Sequence, residues 1–193
     1  MPGFTPERRQ ERVMISALKQ WLEKILEWVI IILMITLTIV VIVAVLFRLM
    51  GDSLSWYDEV AAIQLSWITY YGSALAALKR RHIGFDSVLL AIPMPMRMVA
   101  LVFSELIVIG FFVLLAVTGM QVIEVLEGDM LVSLTWVPVQ FTQSVIPIGA
   151  ALFIICELIS LPEYWRMTAS GKSLEHAEIE EEVETELKKA EAR

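Results

Sequence analysis

RLMGDSLSWYDEVAAIQLSWITYYGSALAALKRRHIGFDSVLLAIPMPMR (Arg48–Arg97) decides the reading of the whole chain. It opens polar and acidic with Asp52, Trp56, Asp58 and Glu59, then runs apolar from Val60 to Leu78. The run stops on Lys79-Arg80-Arg81-His82. As a helix it would rise by about 1.5 Å per residue and match a hydrocarbon core of roughly 30 Å. Acid at one end and base at the other orient it. Gln64, Ser66, Thr69, Tyr70 and Tyr71 interrupt its apolarity. Because polar groups in hydrocarbon need partners, this helix is expected to pack against protein. Gly72 with Ala76, and Ser73 with Ala77, are small-xxx-small pairs that allow close helix approach. That approach is equally compatible with the chain's own bundle and with another subunit.

The same stretch carries a resemblance. Arg48, Trp56 with Glu59, Trp67, Gly72 and Ala76, then His82-Ile83 with Asp86 and Pro93, is similar to the DctQ-type small membrane subunit of tripartite ATP-independent periplasmic (TRAP) transporters. The resemblance implies a non-enzymatic permease subunit in a bacterial inner membrane. Its partners would be a large membrane subunit, which holds the substrate and sodium sites and moves, and a periplasmic solute-binding protein. The small subunit would brace the large one during sodium-coupled uptake of an organic acid.

Working outward, the segment before the stretch divides in two. Residues 1–26 are charged, yet Val13, Ile15, Leu18, Trp21, Leu22 and Ile25 recur near a helical period. A basic amphipathic helix of this kind would rest on anionic headgroups, the plainer alternative being a solvated lead-in. No cleaved leader is expected, since this polar segment precedes any apolar run. The first span, 28–47, is uncharged and rich in Ile, Val and Leu, which suits a lipid-facing helix. Arg48 ends it, either as an interface anchor or as an ion-pair partner of Asp52, Asp58 or Glu59.

After the stretch, 82–96 is too short to span and could lie along the membrane surface until Pro93 and Pro95 break it. His82 is read as pairing with Asp86 four residues on rather than as a metal ligand. Apolar runs place a third span at 99–124 and a fourth at 137–161, the latter carrying Pro147. Residues 162–193 form an acidic tail. Lys and Arg concentrate in the lead-in, the loop of Lys79, Arg80, Arg81 and Arg97, and the tail, whereas the other two loops hold only Arg48. The positive-inside rule then puts both termini and the middle loop in the cytoplasm. The expected fold is all-α integral membrane, with four helices, N-in and C-in, over residues 27–161.

Composition agrees with that class and excludes others. The chain is 58% hydrophobic with mean hydropathy +0.71, and its net charge of −7 comes largely from the tail. One cysteine, Cys156, rules out an internal disulfide, and the two histidines lie outside the spans, so no bis-histidine haem fits. No cofactor, metal or nucleic-acid partner is expected. A four-helix exporter would want a carboxylate in its first span, and none is there. Glu105 and Glu157 are the carboxylates inside spans, and such residues are functional candidates by default. Their nearness to Arg97, Arg81 or Arg166 points to structural pairing. The alternative is a self-sufficient small transporter built on these two glutamates.

Overall fold

A computed structural model describes residues 6–80, 92–170 and 183 of the chain. Five helices cover most of these: α1 (Pro6–Leu49), α2 (Tyr57–Lys79), α3 (Met94–Val125), α4 (Val139–Gln143) and α5 (Val145–Ser170). The calls on Arg81, His82 and Asp86 lie outside the described residues.

The lead-in and the first span are one helix of 44 residues. No Gly or Pro falls between Pro6 and Gly51, so nothing in the sequence breaks the ladder at residue 27. Pro6 takes the first position, where its missing N–H costs nothing. The helix ends at Gly51, whose φ of 86° is the left-handed turn that glycine takes readily.

Among the described residues, three helical stretches are long and apolar enough to cross a membrane: Ala17–Leu49, Met94–Val125 and Val139–Ala169. α2 is long enough at 23 residues, or about 34 Å, but its amide, hydroxyl and aromatic polar groups lower its hydropathy. It lies between the others all the same. α2 packs on α1 and on α5, and α5 packs on α3, giving the neighbour order α1–α2–α5–α3.

The expected fourth span differs in detail from its sequence reading. It is interrupted at Ser144, between α4 and α5. Pro147 has no N–H to offer the Gln143 carbonyl, which accounts for the interruption there rather than a kink further in. α5 then runs nine residues past 161, through Pro162, so the Glu163–Arg166 exit is helical.

The core is small. Leu26, Ala74, Ala77, Leu78, Phe153 and Cys156 form one buried cluster where α1, α2 and α5 meet. Phe112 of α3 stacks on Phe153 of α5. Glycine sets the closest approach at Gly149, where a Cβ would stand 2.7 Å from the Tyr70 Cβ. By contrast Ile31, Ile32, Ile35, Ile39 and Ile42 of α1 stay exposed, as a lipid-facing helix requires.

Candidate functional site

Three groups of side chains fix the relation of α2 to the rest of the chain. The first is at its C-terminal end. Arg80 caps α2 in a left-handed conformation (φ 52°), and its backbone N–H still returns to the Ala76 and Ala77 carbonyls. That turn swings the side chain back against α3 and α5. Nη1 then lies 2.6 Å from Glu105 Oε1 and 2.7 Å from Glu157 Oε1. Nε donates to Ser160 Oγ at 2.8 Å, and Nη2 to the Glu157 carbonyl at 3.3 Å. The guanidinium carbon sits 4.6 Å from the centre of the Tyr164 ring. One arginine thus joins three helices. Glu105 and Glu157 are both buried, and their Oε2 atoms have no hydrogen-bond partner.

Both glutamates pair with Arg80, which is none of the cations the sequence put forward for them. Arg97, one of the expected partners, instead donates to the Ile92 and Thr168 carbonyls, tying the start of α3 to the end of α5. Periodicity could not have found Arg80, because the inner line of Ala74, Ala77 and Leu78 continues to position 81, and only the left-handed cap turns Arg80 inward. Ser160 and Tyr164 carried no signal either.

Below Arg80 the charges sort into exposed and half-buried pairs. Lys79 bridges Glu23 (3.0 Å) and Glu27 (2.5 Å) of α1, and Lys19 reaches Glu163 of α5 at 2.7 Å. They draw the basic end of α2, the N-terminal half of α1 and the C-terminal part of α5 together.

The second group is at the opposite end of α2. Glu59 precedes the apolar run and accepts hydrogen bonds from the backbone N–H groups of Val132 (3.0 Å) and Ser133 (2.9 Å). The Ser133 hydroxyl adds a third, short bond. The Ser133 hydroxyl, then its N–H, hold the Glu59 carboxyl below the usual carboxylate range; desolvation opposes this and the Val132 N–H adds to it. The hairpin so gripped is itself ordered, with Leu131 N–H on Val137 O and Val139 N–H on Asp129 O. Gly128, at φ 89°, makes its turn. A few turns further along α2, the Trp67 indole donates to the Thr142 carbonyl (3.0 Å) and packs on Phe141. That carbonyl lies beside the helix break, where the α-helical ladder leaves acceptors over. Trp56 is the N-cap residue of α2, and its carbonyl accepts from Val60. Asp58 is exposed in the first turn. Arg48 is exposed and makes no ion pair with Asp52, Asp58 or Glu59. The anchor alternative fits it better.

The third group is defined by what does not touch it. Ala62, Leu65, Ser66 and Thr69 are exposed along one side of α2, and half-buried Gly72, Ser73 and Ala76 continue that side. Nothing lies within 4 Å of where a Gly72 Cβ would stand. Ser66 and Thr69 return their hydroxyls to the carbonyls of Ala62 and Leu65, so the strip exposes few unsatisfied groups. Of the two small-residue pairs, Ser73–Ala77 contributes Ala77 to the core, while Gly72–Ala76 faces outward.

Among the described residues there is no group of three or more His, Cys, Asp or Glu side chains that could hold a metal ion. The site's polar contacts join helices to one another. No curated protein matches the chain. The family model for tripartite ATP-independent periplasmic transporters, DctQ component, matches residues 37–167. The matched region contains the Glu59 clamp, Trp67, the outward strip of α2 and the whole Arg80 junction, and the chain belongs to the DctQ family of TRAP transporter small membrane subunits.

Proposed function

We propose that this subunit is a scaffold, bracing the large TRAP membrane subunit along the outward strip of α2. The strip from Ala62 to Ala76 carries the reading. Leu65 apart, it is made of small and hydroxyl-bearing residues, lies in the middle of the helix order, and is open at Gly72. Without a hydrophobic force between helices in lipid, small residues that let backbones approach are the usual basis of helix association. In this reading α2 is a fourth crossing, with both termini and the basic loop in the cytoplasm, in a bacterial inner membrane. The acidic hairpin with Glu124, Glu127 and Asp129 then faces the periplasm, where a solute-binding protein docks. The complete system takes up an organic acid coupled to sodium.

Pairing of both glutamates on Arg80 supports a structural role for Glu105 and Glu157 over a self-sufficient transporter built on them. Reconstitution separates these readings. In proteoliposomes the subunit alone is expected to move no substrate, while addition of the large subunit and the binding protein gives sodium-dependent uptake. Uptake by this chain alone would overturn the scaffold role.

A further inference from the structure

The Arg80 junction has one fixed positive charge and two carboxyl groups, and its donors can be followed one by one. The two hydrogens on Nη1 serve the Oε1 atoms of Glu105 and Glu157. Nε–H goes to Ser160 Oγ and Nη2 to the Glu157 carbonyl. The Ser160 hydroxyl faces the Ala77 and Glu157 carbonyls. None of these bonds reaches the two Oε2 atoms, which are buried without a partner. Glu157 is 4% exposed and Glu105 9%, so both lie away from bulk water.

Among the described residues, the nearby charges are engaged elsewhere. Lys79 of α2 is held by Glu23 and Glu27 of α1, and Lys19 by Glu163 of α5. Arg97 of α3 is spent on the Ile92 and Thr168 carbonyls. Tyr164 presents its ring face to Arg80, and Cys156, the other titratable group beside Glu157, is a buried thiol. Two ionised carboxylates on one guanidinium would leave a net negative charge in a water-poor site. Isolated buried charges of that kind neutralise instead of persisting.

We propose that Glu105 and Glu157 bind one proton between them, so that the pair and Arg80 form a buried group of zero net charge. The ligand is a proton and not a metal cation, since an O–H is the donor that an orphaned Oε2 lacks. The site spans α3 and α5 and is closed by the C-terminus of α2, so its charge state bears on how these three helices meet. The inference does not depend on which face binds the large subunit.

Infrared spectroscopy on the full-length chain in lipid nanodiscs tests it. At neutral pH the wild type is expected to show the carbonyl stretch of one protonated carboxyl group, shifting on transfer to deuterated buffer. Glu105→Gln and Glu157→Gln should each abolish that band. Either change leaves one carboxyl for one guanidinium, and the remaining group gives up its proton. Absence of the band from the wild type would overturn the proposal, as would its survival in either folded variant. Sodium chloride added at constant pH should leave the band unchanged, whereas its loss would mean that a cation occupies the site. If a variant proves unable to fold, the wild-type band and its response to sodium decide the matter.

Discussion

Arg80 and Glu157 stand 77 positions apart in the sequence and meet twice, Nη1 to Oε1 at 2.7 Å and Nη2 to the main-chain carbonyl at 3.3 Å. The second contact fixes the α5 backbone as well as a side chain, so the arginine acts as a strut between α2 and α5. Replacing it with methionine keeps the stem but leaves Glu105 and Glu157 without their counter-charge. Removing one partner of a buried ion pair typically costs about 3–5 kcal/mol. Arg80→Met should therefore lower the unfolding midpoint of the purified subunit strongly. Lys19→Met, which removes an ion pair whose side chains are 30% and 58% exposed, should cost at most about 1 kcal/mol. Equal shifts for the two variants would show that the junction is not under special load.

The Glu59 clamp makes a pH prediction with a definite sign. Its carboxyl is held below its ordinary value of 4.5 when folded, chiefly by the Ser133 hydroxyl and N–H. A lowered value means that the clamp's contribution is complete above pH 4.5 and is lost as the pH falls through the folded-state value. Hydrogen exchange at the Val132 and Ser133 amides, corrected for intrinsic rates, should be slow and constant from neutral pH down to about 4.5 and accelerate below it. Glu59→Gln should exchange fast at every pH. Protection that ignores both acid and the substitution would assign the hairpin's order to its own internal bonds.

Much of this architecture was legible because hydropathy and chain-breaking residues act locally. The apolar runs at 28–47, 60–78 and 99–124 lie within α1, α2 and α3, and Gly51 and Pro93 mark helix ends. What escaped depends on rotation about a helix axis or on a second element. Lys79 and Arg80 look alike in sequence yet take partners on different helices, α1 for the first and α3 with α5 for the second. Only the left-handed cap at Arg80 brings that side chain to Glu105 and Glu157. Likewise Gly72 and Gly149 are equivalent as letters, but Tyr70 lies against only the second. The break at Ser144 was displaced from the reading of Pro147 because a proline frees a carbonyl four residues earlier.

Topology can be checked directly. A reporter fused after Arg193 should be active in the cytoplasm, and one inserted beside Gly128 should be active in the periplasm. Gly128 is exposed at a turn with φ 89°, so an insertion there meets no buried contact. Signals on the same side of the membrane for both fusions would mean that α5, the long helix between the two sites, does not cross; reversed signals with a cytoplasmic N-terminus would mean that an odd number of helices crosses, and α2 would be the one to reassign, since it falls outside the three most apolar stretches.

The outward strip of α2 yields the sharpest test, because two glycines on the two sides of one contact system should behave oppositely. At Gly149 a methyl group would stand 2.7 Å from Tyr70 Cβ and 3.0 Å from Cδ1, with α2 and α5 already in contact. Overpacking of that sort costs roughly 1–3 kcal/mol. Gly149→Ala should destabilise the isolated subunit, and Tyr70 has to move for it to fold. At Gly72 nothing of this chain lies within 4 Å of the added carbon, so Gly72→Leu should leave the isolated subunit folded with an unchanged unfolding midpoint. If a helix of the large subunit packs on the strip, the same leucine meets its backbone and co-purification should fall. Leucine at the exposed α1 site Ile39 should disturb neither, being one apolar side chain for another against lipid. Retained co-purification of Gly72→Leu would move the contact to a different face, and collapse of the subunit alone would place Gly72 inside its own packing. The expected pattern is that Gly149→Ala impairs the subunit and Gly72→Leu impairs only the complex.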